Sequence, residues 1–178
     1  MVSQLFGWRD RLVGSIDGEV LEIGAGSGAN LTRYRRAAVV WAVEPDPRRA
    51  AQAQRVADDA GVRAHVKVAV AEALPFTAAR FDHVVSSLVF CSVTDQTLAL
   101  SEIRRVLRPS GVLHMVEHIR PQIAPLALLA HRATPYWSQI AHNCHLDRPT
   151  VDTLRAAGWE VRILGRFGVF VQIEARLA

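Results

Sequence analysis

The segment from Gly18 to Asn30 constrains this chain most: a short apolar run, GEVLEI, stops at a glycine cluster, GAGSGAN, and Leu31 to Arg36 then has helical composition. That is the pattern of a buried strand, a tight loop and a helix. Gly24, Gly26 and Gly28 let the backbone turn sharply and approach a ligand, with helix amides aimed at any anionic group. A tight turn with no ligand fits the same residues. With Ala29 in the last place, GAGSGA also satisfies the G-x-G-x-x-G/A dinucleotide pattern.

The same alternation continues. Ala38 to Val43, Arg63 to Val70, Phe81 to Phe90 and Gly111 to Ile119 are predicted strands. Helices are expected at Arg48 to Ala60, between Pro47 and Gly61, and at Thr94 to Leu107, stopped by Pro109-Ser110-Gly111. After a proline-interrupted segment, Arg120 to Arg148, a helix is expected from Pro149 to Ala157. The strands Glu160 to Leu164 and Val169 to Ala175 then flank a hairpin turn at Gly165 to Gly168. The predicted class is α/β: a doubly wound, mostly parallel seven-stranded sheet with an antiparallel terminal hairpin. Ligand is then expected across the carboxyl ends of the first four strands, where the sheet order reverses.

With 178 residues the chain is read as one domain, residues 1–178, with residues 120–148 as a substrate-side insert. Half of the residues are hydrophobic, enough to fill a core and exclude global disorder. The net charge of +4 is scattered, so no nucleic-acid partner is implied. Cys91 and Cys144 are far apart and in no CxxC pair, which suggests neither a disulfide framework nor a zinc cluster and fits a reducing, cytoplasmic setting. No charged-then-apolar leader opens the sequence, and the longest apolar stretch, Ile123 to Ala130, is broken by Pro125 and too short to span a bilayer.

Glu44 follows the second strand, twenty residues after Gly24, where a carboxylate accepts both ribose hydroxyls of an adenosine. It is equally suited to cap the helix at Arg48. A carboxylate there disfavours NADP but does not separate NAD from S-adenosylmethionine.

The ordered series LEIGAGSGAN, VEPDP, AEALPF, FDHVVSSLVF and SEIRRVLRPSGVL resembles the class I S-adenosylmethionine-dependent methyltransferases, in the group that includes quinone C-methyltransferases, over about Gly18 to Glu117. More narrowly, Gly28 to Asn30, Cys91 to Val93 and Val116 to His118 resemble the methyltransferase-like 7 branch, whose members methylate thiols. The resemblance implies S-adenosyl-L-methionine as cofactor. It implies that Gly24, Ala25, Gly26, Ser27 and Gly28 pass beneath its methionine part while Glu22 helps hold the amino group. It further implies Glu44, with Pro45, at the ribose, Ala71 and Glu72 at the adenine, and Ser87 and Leu88 facing the methionine portion. Val70 stands where many relatives place an adenine-binding aspartate, and Ser110 replaces a common glycine.

Methyl transfer from a sulfonium is an in-line displacement, so the protein chiefly aligns the partners and excludes water. A thiol acceptor is only slightly ionised at neutral pH, and a histidine could take its proton. His118, ending the fifth strand, is the candidate base, although a strand-end histidine also serves as a structural hydrogen-bonding group. Tyr136, Trp137, His142, Cys144 and His145 are the substrate-side candidates. The cluster from His142 to His145 lacks a second cluster to complete a four-ligand metal set, so it is read as pocket wall, with no metal expected. Ile123 to Ala130 could line a greasy pocket, touch a membrane surface, or pack on the sheet. The expected partner is a small lipophilic methyl acceptor, a thiol first, with a quinone-type carbon or another oxygen or nitrogen acceptor as alternatives. An NAD-dependent oxidoreductase and a non-catalytic cofactor-binding protein are the readings from other classes. So little chain lies outside the sheet that a second subunit, as in a homodimer, could complete the pocket.

Overall fold

The computed structural model describes residues 2–178. Its elements run α1 (Val2–Val13), β1 (Asp17–Ile23), β2 (Arg36–Glu44), α2 (Pro47–Asp59), β3 (Ala64–Val68), β4 (Phe81–Ser87), α3 (Gln96–Val106), β5 (Leu107–His118), α4 (Ala124–Ile140), α5 (Thr150–Ala156), β6 (Trp159–Phe167) and β7 (Phe170–Leu177). The seven strands form one sheet in the order β3-β2-β1-β4-β5-β7-β6. The first five are mutually parallel, and β7 runs antiparallel to both β5 and β6. This is the doubly wound sheet with an antiparallel terminal hairpin that the strand–helix alternation predicts.

Strand periodicity divides the core between the two faces of the sheet. Leu21 and Ile23 of β1 join Leu100 and Ile103 of α3 and Leu154 of α5 on one face. Val20 points the other way, into a cluster with Leu12 and Val13 of α1 and Ala53 and Ala57 of α2. The chain leaves β1 toward β2 and β3, then crosses back to β4 on the opposite side. That reversal opens a crevice between the carboxyl ends of β1 and β4.

Four local expectations are corrected. A single 3-10 turn, Leu31–Arg33, replaces the helix expected over Leu31 to Arg36, because β2 already begins at Arg36. The glycine loop therefore has no helix dipole behind it. β4 ends at Ser87 rather than Phe90, since Leu88 takes a positive φ of 59° and turns the chain out of the sheet. The terminal strands extend to a two-residue turn at Gly168 and Val169, where Gly168 has φ 58°, and a bulge between Ile163 and Gly165 absorbs the offset. α1 forms in a stretch for which no element is predicted from the sequence.

The segment 120–148 contains α4, which tolerates Pro125 in its first turn and Pro135 in its interior and buries only Thr134. Ile123, Leu126, Leu128, Leu129 and Ile140 remain exposed, so this apolar run does not pack on the sheet, and none of its residues lines the cleft over the sheet. Among the described residues, no helix is long and apolar enough to cross a membrane.

Candidate active site

A cleft of about 1030 Å³ lies over the carboxyl ends of β1 to β5. Its floor is the glycine loop. The amides of Gly24 and Ala25 donate to Val43 O at 2.8 and 3.0 Å, which pins the loop to the end of β2. A Cβ on Gly24 would stand 2.5 Å from Val89 Cγ2, so glycine is what lets the loops after β1 and β4 close together. Gly28 serves another purpose and does not line the cleft. At φ 87°, a Cβ there would lie 3.0 Å from Ala53 Cα, so its bareness lets α2 pack beneath the loop.

Glu44 Oε2 accepts from the Gly26 amide at 2.9 Å and Oε1 from the Asp46 amide at 3.2 Å. It is not the helix cap. Asp46 takes that place, with Oδ1 accepting from Arg48 N at 2.8 Å and Arg49 N at 3.3 Å. Glu44 is thus a buried carboxylate bracing two turns at the cleft wall. Pro45, Ala71 and Glu72 line the same end, and Glu72 also accepts from the amides of Thr94 and Asp95. Val70 lines it without offering a polar group.

At the opposite end Glu22 is fully enclosed and accepts from Asn30 Nδ2 at 3.1 Å and the Tyr34 hydroxyl at 2.7 Å. Burial pushes its pKa up to about 7, against the pull of those two hydrogen bonds and of the Arg9 charge. Arg9, on α1, donates to Ser87 Oγ at 3.1 Å and lines the cleft. Burial lowers its pKa, and Glu22 and Glu117 oppose the shift. Asn30 Oδ1 is buried and has no hydrogen-bond partner among the described residues. An orphaned acceptor beside a buried carboxylate and an arginine suits a ligand carrying an ammonium and a carboxylate on one carbon.

Behind the far wall, outside the cleft lining, stands Glu117, wholly buried at the end of β5. Its carboxylate accepts from Ser86 Oγ at 2.7 Å and from the Val89 amide at 3.0 and 3.1 Å, which secures the turn out of β4. Burial raises its pKa to about 7 despite these bonds. Leu88 N donates to Val116 O, and Ser87 and Leu88 both face the cleft. The chain after α4 is then tied to this turn: His145 N donates to Cys91 O, Asn143 Nδ2 to Ser92 O and Arg148 Nη2 to Val93 O. These bonds bring Cys144 and His142 to the cleft and set His118 Nε2 3.0 Å from Cys144 Sγ. Burial lowers the pKa of His118 and raises that of the Cys91 thiol.

The substrate-side expectations divide. His142 and Cys144 line the cleft, but Tyr136 is 77% exposed, Trp137 is 43% exposed, and neither reaches it. They sit on α4, whereas the chain meets the cleft only past the end of that helix, from Ala141 to Cys144. His145 does not line the cleft either, its ring standing against Asn143 O at 2.8 Å. Reasoning from the sequence missed Arg9, Asn30, Glu117 and Phe170. Only Asn30 and Glu117 carried a local signal, as polar residues at the carboxyl end of a predicted strand or in the loop that follows one.

A family model described as a methyltransferase domain matches residues 21–115. The chain belongs to that family. Its fold and family are those of the class I S-adenosylmethionine-dependent methyltransferases. It is 35% identical over 138 residues to the thiol S-methyltransferase TMT1B of Rattus norvegicus, an alignment covering 74% of this chain and 55% of that protein. Against the Homo sapiens TMT1B it is 33% identical over 142 residues, covering 78% and 58%. The chain therefore spans little more than half the length of these relatives. The YcgJ protein of Bacillus subtilis superposes with a TM-score of 0.79 at 19% identity, covering 94% of this chain and 72% of that one, a likeness of fold alone.

Proposed function

We propose that this chain transfers a methyl group from S-adenosylmethionine to a small lipophilic thiol. The observation that carries the reading is the polarity of the cleft. Glu22, Arg9 and the orphaned Asn30 Oδ1 form one group, fitted to an amino-acid moiety, and His118 with two cysteines forms another on the β4–β5 side. The kinship with thiol S-methyltransferases at 33–35% identity supports the acceptor class.

When bound, the cofactor supplies an electrophilic methyl group on a sulfonium and its own leaving group. The chain supplies the rest. Glu22 and Asn30 Oδ1 would take the ammonium and Arg9 the carboxylate of the methionine part, while Glu44 would take the ribose hydroxyls beside Gly26. Ala71, with Glu72, would edge the adenine, and Val70 offers it only an apolar contact. Leu88, Val89 and Phe170 would keep water from the acceptor end. His118 stands at that end with a pKa lowered by burial, so its ring is neutral near pH 7 and able to receive the acceptor's proton. We place the protein in the cytoplasm, where a thiol acceptor and the two free cysteines stay reduced.

Calorimetry with S-adenosylhomocysteine and with NAD tests the cofactor: micromolar binding of the former is expected, and binding of NAD alone overturns the reading. Labelled cofactor offered to thiol, phenol, amine and quinone panels, with products read by mass spectrometry, tests the acceptor. Transfer to quinones or phenols but not to thiols sinks the thiol assignment.

A further inference from the structure

Far apart in sequence, Cys91, His118 and Cys144 meet at the acceptor end of the cleft, their Sγ, imidazole nitrogen and Sγ all within 4.8 Å of one another. Each comes from a separate element: the turn after β4, the end of β5 and the loop after α4. The turn and the loop are locked together by the His145 N to Cys91 O and Asn143 Nδ2 to Ser92 O bonds, so the cluster rests on a braced frame. Asn143 and His142 both take positive φ, 62° and 49°, which tightens the bend that delivers Cys144.

We propose that Cys91 Sγ, His118 Nε2 and Cys144 Sγ form a three-ligand site for a thiophilic divalent cation such as zinc, with the fourth position open to the cleft for the sulfur of the acceptor. Zinc bonds of about 2.3 Å to sulfur and about 2.0 Å to nitrogen put tetrahedral ligands roughly 3.5–3.8 Å apart. The three donor atoms, all within 4.8 Å of one another and with His118 Nε2 and Cys144 Sγ 3.0 Å apart, need changes of no more than about 1.3 Å in any separation to meet this. Two sulfurs and one imidazole select zinc or another soft ion over magnesium or calcium. Three protein ligands facing a cavity are the arrangement of a catalytic site, since a structural zinc site is closed by a fourth. All three residues line the cleft.

This inference rests on the thiol reading and replaces the proton-accepting role of His118 with that of a metal ligand. As a free base, its Nε2 would have to leave Cys144 Sγ before it could meet an acceptor. As a ligand it keeps that neighbour. On metal binding the two cysteine thiols release their protons to solvent. The acceptor's sulfur then coordinates as thiolate, its proton also passing to water. In transfer, a sulfur electron pair forms the new bond to the methyl carbon, and the bond from that carbon to the sulfonium breaks with its pair staying on the cofactor's sulfur. No electron is gained or lost overall, and the neutral thioether product is a weaker ligand that dissociates.

The test uses the whole chain, stripped of metal with a chelator, kept reduced by a phosphine and titrated with Co2+. About one equivalent is expected to bind with a near-ultraviolet sulfur-to-cobalt band and tetrahedral visible bands, and a small alkanethiol added without cofactor should shift the visible bands. Cys144→Ser and His118→Ala should abolish the tetrahedral spectrum and weaken Co2+ binding by more than the ~10–100-fold that loss of a supporting group costs. Calorimetric binding of S-adenosylhomocysteine should be unchanged in both variants, showing that they are folded. Absence of Co2+ binding in a chain that binds S-adenosylhomocysteine overturns the metal site and leaves the methyltransferase reading standing. Unaltered bands in Cys144→Ser also overturn it. Co2+ binding without S-adenosylhomocysteine binding instead removes the cofactor reading.

Discussion

At the scale of single residues, Glu22 shows how burial couples stability to pH. Its carboxyl has a pKa of about 7 in the folded chain against 4.5 ordinarily. Below about pH 4.5 both states hold the proton, so Glu22 changes nothing. As pH rises from there toward 7 the unfolded chain releases the proton and the folded chain keeps it, so stability falls, on the order of 3 kcal/mol in all. Glu22→Gln should therefore flatten the fall in urea-unfolding free energy between about pH 4.5 and 7, leaving the part due to Glu117. An unchanged profile would mean that Glu22 stays ionised when buried. A bound ammonium reverses the sign, because it favours the carboxylate. Affinity for S-adenosylhomocysteine should then rise from pH about 6 to about 8 in the wild type and stay level in Glu22→Gln, as calorimetry can check. Glu44→Ala should weaken that affinity by about 1–3 kcal/mol, since a charged acceptor is lost. Unaltered affinity would show that the work of Glu44 ends at the amides of Gly26 and Asp46.

Between elements, α1 and α4 invert what their sequences suggest. α4 is the more apolar, with Leu128 and Leu129 in its run, yet these stay exposed. α1 carries four charged or amide side chains in twelve residues and buries Leu12 and Val13 against the sheet. Leu12→Ala should cost about 2–4 kcal/mol in thermal or urea unfolding, as buried leucines do, whereas Leu129→Gln should fall within about 0.5 kcal/mol of the wild type. Comparable losses at both positions would show that α4 is held against something in solution. The elements around the cleft were legible where the signal was local. β1, its glycine loop and β2 announce themselves because a buried strand must be apolar and a tight turn needs positive φ. The 3-10 turn at Leu31 was not legible, since LTRYRR is compatible with a helix and only the early start of β2 shortens it.

For the molecule as a whole, the cleft exists because the strand order reverses between β1 and β4, and a ligand filling it touches the ends or loops of five strands at once. Binding should therefore stabilise the entire cooperative unit. S-adenosylhomocysteine at a hundred times its Kd should add about 2.7 kcal/mol. For a chain of this length that raises Tm by roughly 5–10 °C in differential scanning calorimetry. No shift at saturation would show that the cleft does not bind it.

The sequence alone determined the alternation of strands and helices, the sheet class, the glycine floor and the position of Glu44, because each is written in residues adjacent along the chain. Tertiary structure decided the rest. It showed that Arg9 from the first helix reaches the cleft beside Ser87, that Glu117 turns inward to hold the turn after β4, and that Tyr136 and Trp137 stay exposed outside the cleft. It also brought Cys91, His118 and Cys144 to one point. Hydrogen bonding and hydrophobic periodicity act over a few residues and leave a local trace. The meeting of three loops depends on strand order and on backbone bonds such as His145 N to Cys91 O, and no spacing within the chain encodes it.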